Sequence, residues 1–423
     1  MHKIGLLASI IVAFNFSACG ELKKTTSDES GNQIQIESQI VGPIEVGAAQ
    51  LSRYLPLLEG KRVAMMVNQT SVVGESHSVD TLLQWGVNIV KIFAPEHGFR
   101  GDHSAGAHVK STTDAKTGLP IVSLYGSSRK PNAAMVQGID VVIFDIQDVG
   151  VRFYTYISSM HYLMESCVEN DLEMMVLDRP NPNGHYVDGP VLDIKYKSFI
   201  GMHPVPLVHG MTVGEFATMI NGERWLTGGD TCKLTVIKCK NYTHDSMYQL
   251  PIRPSPNLPT MESIYLYPSL GLFEGTNVSI GRGTDKPFEV IGRPIDYSKI
   301  NKNEKVGSGS GKGPYAFKPK SIPGVSDHPK YEGVICQGIV LTNFANTYIV
   351  SNKRIYLQWL TMMHNSNNPS QTGVFFKPFF TKLAGGKALQ QQIETGVSQE
   401  DIYKSWEPGL TAFKIIRTKY LLY

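Results

Sequence analysis

The chain has 423 residues, of which 42% are hydrophobic and 18% charged, and these values are typical of a globular protein with room for two domains. Its 40 basic and 37 acidic residues leave a formal net charge of +3 and form no basic stripe, which argues against nucleic acid as a partner. Small and neutral ligands stay as candidates.

The N-terminal segment MHKIGLLASIIVAFNFSACG has the features of an export signal. A basic start precedes an apolar stretch that is short for a membrane span, and small residues come just before Cys19. The ending FSAC resembles a bacterial lipobox, which implies cleavage before Cys19 and a lipid on that cysteine. We predict a signal at 1–19, a polar tether at 20–42 and a lipid-anchored lipoprotein of the bacterial cell envelope, periplasmic or outer-membrane. A soluble secreted protein with an incidental cysteine is the alternative.

The four remaining cysteines, Cys167, Cys232, Cys239 and Cys336, predict no disulfide framework. In a strand CKLTVIKC, Cys232 and Cys239 would lie about 23 Å apart on opposite faces, too far for one bridge. No pair has the spacing of a zinc knuckle, so we expect no structural metal.

Between residues 51 and 193, short β-branched runs alternate with amphipathic stretches. The apolar runs are RVAMMV, VNIVKIF, PIVSLYG, DVVIFDI and EMMVLD, and the helical stretches are SVDTLLQWG and TYISSMHYLMESCVEN. Repeated βα units predict a mostly parallel sheet with helices on both faces, a Rossmann-like domain that we place at 43–198. No dinucleotide fingerprint follows any of these runs, which argues against a nicotinamide cofactor.

Polar loops come directly after the apolar runs at four places. They begin at Asn68, APEHG, DIQDVGVR and DRPNPNG. Ligands of open α/β sheets bind outside the carboxyl ends of the strands, so we expect these four loops to meet at one cleft.

Farther along the chain, proline-rich loops, a helix at MTVGEFATMINGERWL and a strand at KLTVIK predict a second, α+β domain at 199–423. Thr212 and Glu215 have capping-box spacing at the start of that helix, so we expect Glu215 to bind its own backbone. The role of Glu274 in FEGTNVS stays ambiguous. The segment GSGSGKGPYAFKPKSIPG at 307–324 indicates a flexible insertion, because it lacks the spacing of a phosphate-binding loop.

The first candidate for chemistry is the loop FAPEHGFRGDHSAG at 93–106. Glu96 would project into the cleft beside His97, where a carboxylic acid can protonate a glycosidic oxygen. Pairing of Glu96 with Arg100, or capping of a turn, is the alternative. A zinc site built from Asp102 and the nearby histidines is a weaker hypothesis, because no tight ligand spacing is present.

The second candidate is the segment FDIQDVGVRFYTY, which follows another apolar run. Either Asp145 or Asp148 would be a second carboxylate, and the sequence does not decide between them. Gln147, Arg152 and Tyr154 would contact a sugar by hydrogen bonds or stacking. Turn hydrogen bonds and a salt bridge to Arg152 are the alternative roles of the two acids.

Further polar side chains could complete the site. The segment LDRPNPNG supplies Arg179, Asn181 and Asn183, planar groups that suit sugar hydroxyls, although tight turns use the same residue types. Arg179 and Arg282, the latter flanked by glycines in SIGRGTDK, are candidates to fork onto a ligand carboxylate. His209 in LVHGMT is a candidate for the cleft, with a buried structural histidine as the alternative.

Several long blocks occur in order along the chain, among them APEHGFRG, GIDVVIFDIQDVGVRFYTYIS, VLDRPNPNG, HGMTVGEFATMINGE, FEGTNVSIGRGTDKPFE and SWEPGLTAFKIIRTKYLLY. Together they resemble the NamZ-type exo-β-N-acetylmuramidases over almost everything after Pro43. The resemblance implies a Rossmann-like domain followed by a smaller α+β auxiliary domain, with the active site in the cleft between them. The implied activity releases N-acetylmuramic acid from the non-reducing end of peptidoglycan fragments, with Glu96 of PEHG as the catalytic residue. The lactyl carboxylate of that sugar fits Arg179 and Arg282 as anion-binding residues.

The leading hypothesis is therefore a lipid-anchored, exo-acting glycoside hydrolase that needs no cofactor and acts on muramyl saccharides. In it Glu96 is the general acid/base, assisted by Asp145 or Asp148. A surface-anchored glycan-binding lipoprotein without turnover is the competing hypothesis. A metal-dependent hydrolase that uses the histidines near Asp102 is the third.

Overall fold

A computed structural model describes residues 24–27, 33–36, 42–96, 98–100, 112–126, 128–294 and 315–423. The chain divides into two units after Ile44. In the N-terminal unit, β1 (Lys24–Ser27) pairs antiparallel with β2 (Gln33–Ile36), inside the stretch predicted to be a tether. The predicted signal, with Cys19, lies outside the described residues.

The larger unit contains the remaining strands and the helices. The strands are β3 (Val63–Val67), β4 (Val72–Val73), β5 (Ser76–His77), β6 (Ile89–Ala94), β7 (Thr112–Thr113), β8 (Pro120–Ser123), β9 (Val141–Asp145), β10 (Glu173–Leu177), β11 (Lys233–Ile237), β12 (Val290–Arg293), β13 (Tyr315–Phe317) and β14 (Cys336–Val340). The helices are α1 (Leu51–Leu58), α2 (Ser78–Gln84), α3 (Ala133–Val136), α4 (Tyr156–Glu169), α5 (Val213–Gly222), α6 (Met261–Leu270), α7 (Thr342–Phe344), α8 (Val350–Asn352), α9 (Gln358–Asn365), α10 (Pro369–Thr372), α11 (Phe379–Ala384), α12 (Ala388–Glu394) and α13 (Gln399–Arg417).

Among the described residues, seven strands form one sheet in the order β11-β10-β9-β3-β6-β8-β7. Its neighbouring strands are parallel except for the antiparallel pair of β7 and β8. The chain winds outward from β3 through β6 to β8, then returns to β9 and winds the other way, which is the doubly-wound arrangement. The predicted Rossmann-like sheet is confirmed. Because α5 carries the chain back to β11, this sheet extends past residue 198, the predicted end of the Rossmann-like domain.

Both faces of the sheet are buried, and successive residues of its central strands alternate between them. Met65 and Ile143 face the side that α1 and α2 cover, where they join a buried cluster with Tyr54. Met66 and Phe144 face the opposite side and pack in a second cluster with α4 and α5. The apolar runs are continuous because side chains that point to either face of such a sheet lie in a core.

The C-terminal part has the predicted α+β character. Its strands β12, β14 and β13 form an antiparallel sheet, and helices from α6 onward accompany it. Trp359 of α9 and Phe380 of α11 belong to the same buried cluster as Phe144, so one apolar core joins the two parts. No helix among the described residues is long and apolar enough to cross a membrane.

The predicted capping box at the start of α5 is confirmed. Thr212 Oγ1 accepts a hydrogen bond from the Glu215 amide at 3.2 Å, and the Thr212 amide donates to Glu215 Oε2 at 2.9 Å. Glu215 is fully buried and its other oxygen accepts from the Leu422 amide at 2.8 Å, so this carboxylate stabilises the helix start and the C-terminus.

Candidate active site

A cavity of about 660 Å³ lies where loops at the carboxyl ends of the sheet strands meet the C-terminal part. The loops after β6, β8 and β9 contribute Glu96, Tyr125, Arg129, Phe153, Tyr154, Thr155 and Tyr156. Later segments contribute Phe199, Ile200, Ser255, Asn257, Leu258, Tyr267, Gly271, Glu274, Arg282, Phe288, Val325, Ser326, Asp327, His328, Phe379 and Leu383. Its volume is typical of sites that enclose a small ligand.

Glu96 projects into this cavity from the loop after β6 and is half-buried. Its Oε1 accepts a hydrogen bond from the Tyr125 hydroxyl at 3.0 Å, and its Oε2 accepts one from Thr155 Oγ1 at 3.4 Å. The Tyr156 hydroxyl approaches the Glu96 carbonyl oxygen at 3.5 Å. Both carboxylate oxygens are therefore oriented by hydroxyl donors at the cavity wall. Tyr125 and Thr155 were missed in the sequence, although Tyr125 follows an apolar run just as Glu96 does.

Glu274 is a second glutamate among the described lining residues, and it lies on the one-turn 3₁₀ helix Gly271–Gly275. Arg282 Nε donates to Glu274 Oε1 at 2.7 Å, and both side chains are about a quarter exposed. Arg282 also lies 5.0 Å from the centre of the Phe288 ring. The described lining thus holds two glutamates, one that accepts from hydroxyls and one that accepts from a guanidinium, together with the exposed Asp327. Arg282 was predicted from sequence, whereas Glu274 was left ambiguous.

Aromatic rings form one wall of the cavity. Tyr154 lies edge-to-face with Tyr156 and with Tyr267, at centroid distances of 5.1 and 5.8 Å. The Tyr154 hydroxyl donates to the Pro254 carbonyl at 2.7 Å, which fixes the ring. Burial raises the pKa of Tyr154 and Tyr267, so both hydroxyls stay protonated. Rings held in this way offer an apolar surface to a ligand, and Tyr154 stays a predicted sugar-contacting residue that lines the cavity.

Asp145 does not line the cavity, in contrast to its expected role as a second carboxylate. It is fully buried, and its Oδ1 accepts from Arg179 Nε at 2.6 Å. Arg179 Nη2 donates to the Val72 carbonyl at 3.1 Å, so the predicted anion-binding arginine is also buried away from the cavity. This ion pair joins the loops after β9, β10 and β3, because their polar ends converge at the point where the strand order reverses.

Asp148 is buried and is likewise absent from the cavity lining. Its Oδ2 accepts from the Gly150 amide at 2.6 Å, in a turn in which Gly150 has φ 75°. Burial nevertheless raises the pKa of Asp148 to about 7. Its role is that of a turn residue, which was the alternative considered in the sequence.

Replacing Asp148 by asparagine is expected to change how stability depends on pH. The ordinary pKa of an aspartate is 3.8, and the pKa of Asp148 in the folded protein is about 7. Between these two pH values the folded protein keeps the Asp148 proton, whereas the unfolded chain has released it. The contribution of Asp148 to the free energy of unfolding therefore falls as pH rises through this window. Asparagine does not titrate, so the Tm of Asp148→Asn minus that of the wild type should rise by about 3 °C or more between pH 5 and pH 8.

Differential scanning fluorimetry across this pH range measures that difference. Asp230→Asn is the matched control, because Asp230 is exposed, and its difference from the wild type should stay flat. A Tm difference for Asp148→Asn that is equally independent of pH would contradict the assignment.

The predicted amide side chains hold loops together instead of facing the cavity. Gln147 Nε2 donates to the carbonyls of Asp148 and Pro180 at 2.8 and 2.6 Å. Asn181 Nδ2 donates to the Met211 carbonyl at 2.9 Å. Asn183 Nδ2 donates to the Val149 carbonyl at 2.8 Å. None of the three belongs to the described cavity lining, because buried backbone carbonyls take their amide donors.

Arg152 and His209 also lie in the interior. Arg152 donates to the carbonyls of Pro190, Val205 and Leu383 at 2.6, 2.8 and 3.0 Å, and burial lowers its pKa to about 9. These bonds connect the sheet part to α11, whose Leu383 lines the cavity. Burial lowers the pKa of His209 to about 3, so it is neutral, and its Nδ1 accepts from the Met211 amide at 3.2 Å.

Other expected residues lie at the edge of the described structure or beyond it. Arg100 forms a two-bond ion pair with Asp114, at 3.1 and 3.0 Å, and does not line the cavity. His97 and the loop at 101–111, which contains Asp102, lie outside the described residues. Within the described ranges no group of three potential ligands is placed to hold a metal ion. The described cysteines, Cys167, Cys232, Cys239 and Cys336, are buried and free.

Comparison with known families places this geometry in context. The N-terminal model of the exo-beta-N-acetylmuramidase NamZ family matches residues 63–262, and its C-terminal model matches residues 265–423. The chain belongs to the NamZ family. The two models meet beside the start of α6, so the whole seven-stranded sheet, β11 included, falls in the N-terminal NamZ region.

Individual relatives cover nearly the whole chain. The peptidoglycan beta-N-acetylmuramidase NamZ of Bacillus subtilis (strain 168) is 38% identical over 411 residues, which are 94% of this chain and 95% of that protein. Crystal structures of two DUF1343 family proteins from Bacteroides fragilis NCTC 9343 also match. One is 48% identical with a TM-score of 0.80, and the other is 30% identical with a TM-score of 0.74. Each of these two structures matches 90% of this chain and 99% of the solved chain, so the likeness extends to both parts of the fold.

Proposed function

We propose that this protein is an exo-acting glycoside hydrolase that releases N-acetylmuramic acid from the non-reducing end of peptidoglycan fragments. The observation that carries the proposal is the pair of glutamates, Glu96 and Glu274, in one cavity of a NamZ-family chain. Glycoside hydrolysis uses two carboxyl groups on either side of the scissile bond. The cavity volume, about 660 Å³, suits a small saccharide ligand.

The two glutamates have different surroundings and so suit different roles. Tyr125 and Thr155 contact Glu96 through neutral hydroxyls, which are compatible with a protonated carboxyl as well as with a carboxylate. This allows Glu96 to deliver a proton to the leaving oxygen as the general acid. Arg282 pairs with Glu274 at 2.7 Å, an arrangement that suits stabilisation of the cationic sugar or activation of its attacker. These chain groups suffice for hydrolysis, so the proposal includes no cofactor.

The test is product analysis on a defined glycan with muramic acid at its non-reducing end. Incubation of the purified protein should release free N-acetylmuramic acid as the first product, detected by chromatography with mass spectrometry. The remaining chain should start with N-acetylglucosamine. Internal fragments as first products would contradict exo-action, and binding by calorimetry without any product would instead favour the glycan-binding module.

We further propose that the mature protein is anchored in the cell envelope through a lipid on Cys19. The support is the apolar N-terminal segment that ends in FSAC. A peptidoglycan substrate also lies outside the bacterial cytoplasmic membrane, where such an anchor would hold the enzyme. Metabolic labelling with an alkyne fatty acid should mark the wild type and not Cys19→Ala, and equal labelling of both would refute the anchor.

A further inference from the structure

The proposed substrate carries a functional group whose recognition the two glutamates do not explain. N-acetylmuramic acid differs from N-acetylglucosamine by a lactyl ether, which ends in a carboxylate. A binding site recognises such a group with a cation, most specifically with the fork of an arginine guanidinium. The basic side chains among the described lining residues are Arg129, Arg282 and His328.

Two of these three already interact with carboxylates of the chain. Arg282 lies 2.7 Å from Glu274 Oε1. His328 lies 3.9 Å from Glu332 and its side chain is 94% exposed. Lys130, the residue after Arg129, pairs with Glu169 at 2.6 Å and with Glu165 at 3.4 Å.

Arg129 has a different environment. Its guanidinium carbon lies 4.1 Å from the centre of the Phe199 ring, and Phe199 in turn stacks on Tyr162 at 6.0 Å with an interplanar angle of 9°. No carboxylate of the described residues forms an ion pair with it. A guanidinium that stacks through its face keeps its N–H edge available, and the ring limits its rotamers before any ligand binds.

The position of Arg129 is also suitable. Tyr125 precedes Arg129 by four residues, and its hydroxyl donates a hydrogen bond to Glu96 Oε1. The segment that carries Arg129 therefore also carries the hydroxyl that orients the proposed acid. Arg129 further borders a second, shallower depression of about 520 Å³ with Gly126, Ser128, Lys130 and Tyr162. It therefore stands at the rim between the cavity and open space, where a substituent of a bound sugar would emerge.

We propose that Arg129 binds the lactyl carboxylate of N-acetylmuramic acid and thereby selects muramic acid over glucosamine at the non-reducing end. This inference rests on the proposed function, because it assigns a substrate-recognition residue to the same cavity. Arg129 takes the role that was predicted for Arg179, which is buried in a pair with Asp145. Arg282, which the sequence also suggested, has its guanidinium committed to Glu274.

The test compares Arg129→Met with Lys130→Met, which removes the same charge one residue away. The substrates are the para-nitrophenyl β-glycoside of N-acetylmuramic acid and the same glycoside with its lactyl carboxyl as a methyl ester. Arg129→Met should raise KM for the free acid by about 10- to 100-fold, with kcat within about threefold, and leave KM for the ester unchanged. Lys130→Met should leave both KM values unchanged, and Arg129→Lys should recover part of the loss.

Equal KM values for Arg129→Met and the wild type on the free acid would overturn the inference. An equal rise on acid and ester would overturn it too, because a merely structural role affects both substrates. Calorimetric binding of N-acetylmuramic acid to the wild type and to Arg129→Met provides a readout that needs no turnover. If the wild type cleaves neither glycoside, the proposed function fails, while a loss of binding in Arg129→Met still supports the carboxylate site.

Discussion

Glu96→Gln is expected to lower kcat by about 10²- to 10⁴-fold and to leave KM and Tm close to their wild-type values. Glutamine is isosteric and its amide oxygen can still accept from the Tyr125 hydroxyl, which lies 3.0 Å from Glu96 Oε1. It cannot deliver a proton to the leaving oxygen. Steady-state kinetics on the para-nitrophenyl glycoside and on a muramyl disaccharide measure the loss, and Glu59→Gln, at an exposed position, is the matched control.

The dependence on the leaving group separates an acid from other roles of Glu96. A dinitrophenyl group departs without protonation, so the loss in Glu96→Gln should become much smaller on that substrate. Tyr125→Phe removes one of the two hydroxyls that orient the carboxyl and should give a smaller loss, of about tenfold. A deficit for Glu96→Gln that is the same for every leaving group would contradict the general-acid assignment.

The fold was predictable because its signal is local. The central strands of the parallel sheet are buried on both faces, so VAMMV of β3 and VVIF of β9 are continuous apolar runs that stand out along the chain. Glu96 was also accessible, because the carboxyl end of a parallel strand directs the next loop to the ligand side of the sheet. The position of β11 in the same sheet could not be predicted from the sequence. Its residues alternate in exposure at the sheet edge, and α5 separates it from β10 along the chain.

The other site residues were harder to assign, because the polar residue types that bind a ligand are the same ones that hold neighbouring loops together. Asp145 and Asn183 follow strands just as Glu96 does, yet their partners are Arg179 and backbone carbonyls. Sequence does not show whether a polar group at a strand end faces a cavity or a neighbouring loop. Glu274 and Arg129 come from distant segments, and only the packing of the C-terminal part against the sheet brings them to one cavity.

Glu274→Gln is expected to lower kcat by at least about 10²-fold on every leaving group. The reason is that the carboxylate acts on the sugar and not on the departing oxygen, so a better leaving group does not compensate for it. Arg282 would lose its ionic partner, and a Tm measurement shows whether the fold persists. Proton NMR of the first-formed sugar anomer, with azide added to Glu274→Ala, distinguishes a nucleophile from a base that activates water.

Asp145→Asn provides the decisive contrast, because Asp145 was the sequence candidate for the role now given to Glu274. Its partner Arg179, at 2.6 Å, is 2% exposed, so the substitution leaves a buried cation without its counter-charge. We expect a loss of about 3 kcal/mol in the free energy of unfolding, with kcat retained by the molecules that stay folded. If folded Asp145→Asn is inactive while Glu274→Gln keeps wild-type kcat, the second carboxylate is Asp145 and the cavity glutamate has a structural role. The opposite pattern assigns catalysis to the two glutamates and explains why the buried aspartates are held by arginine and backbone partners away from the cavity.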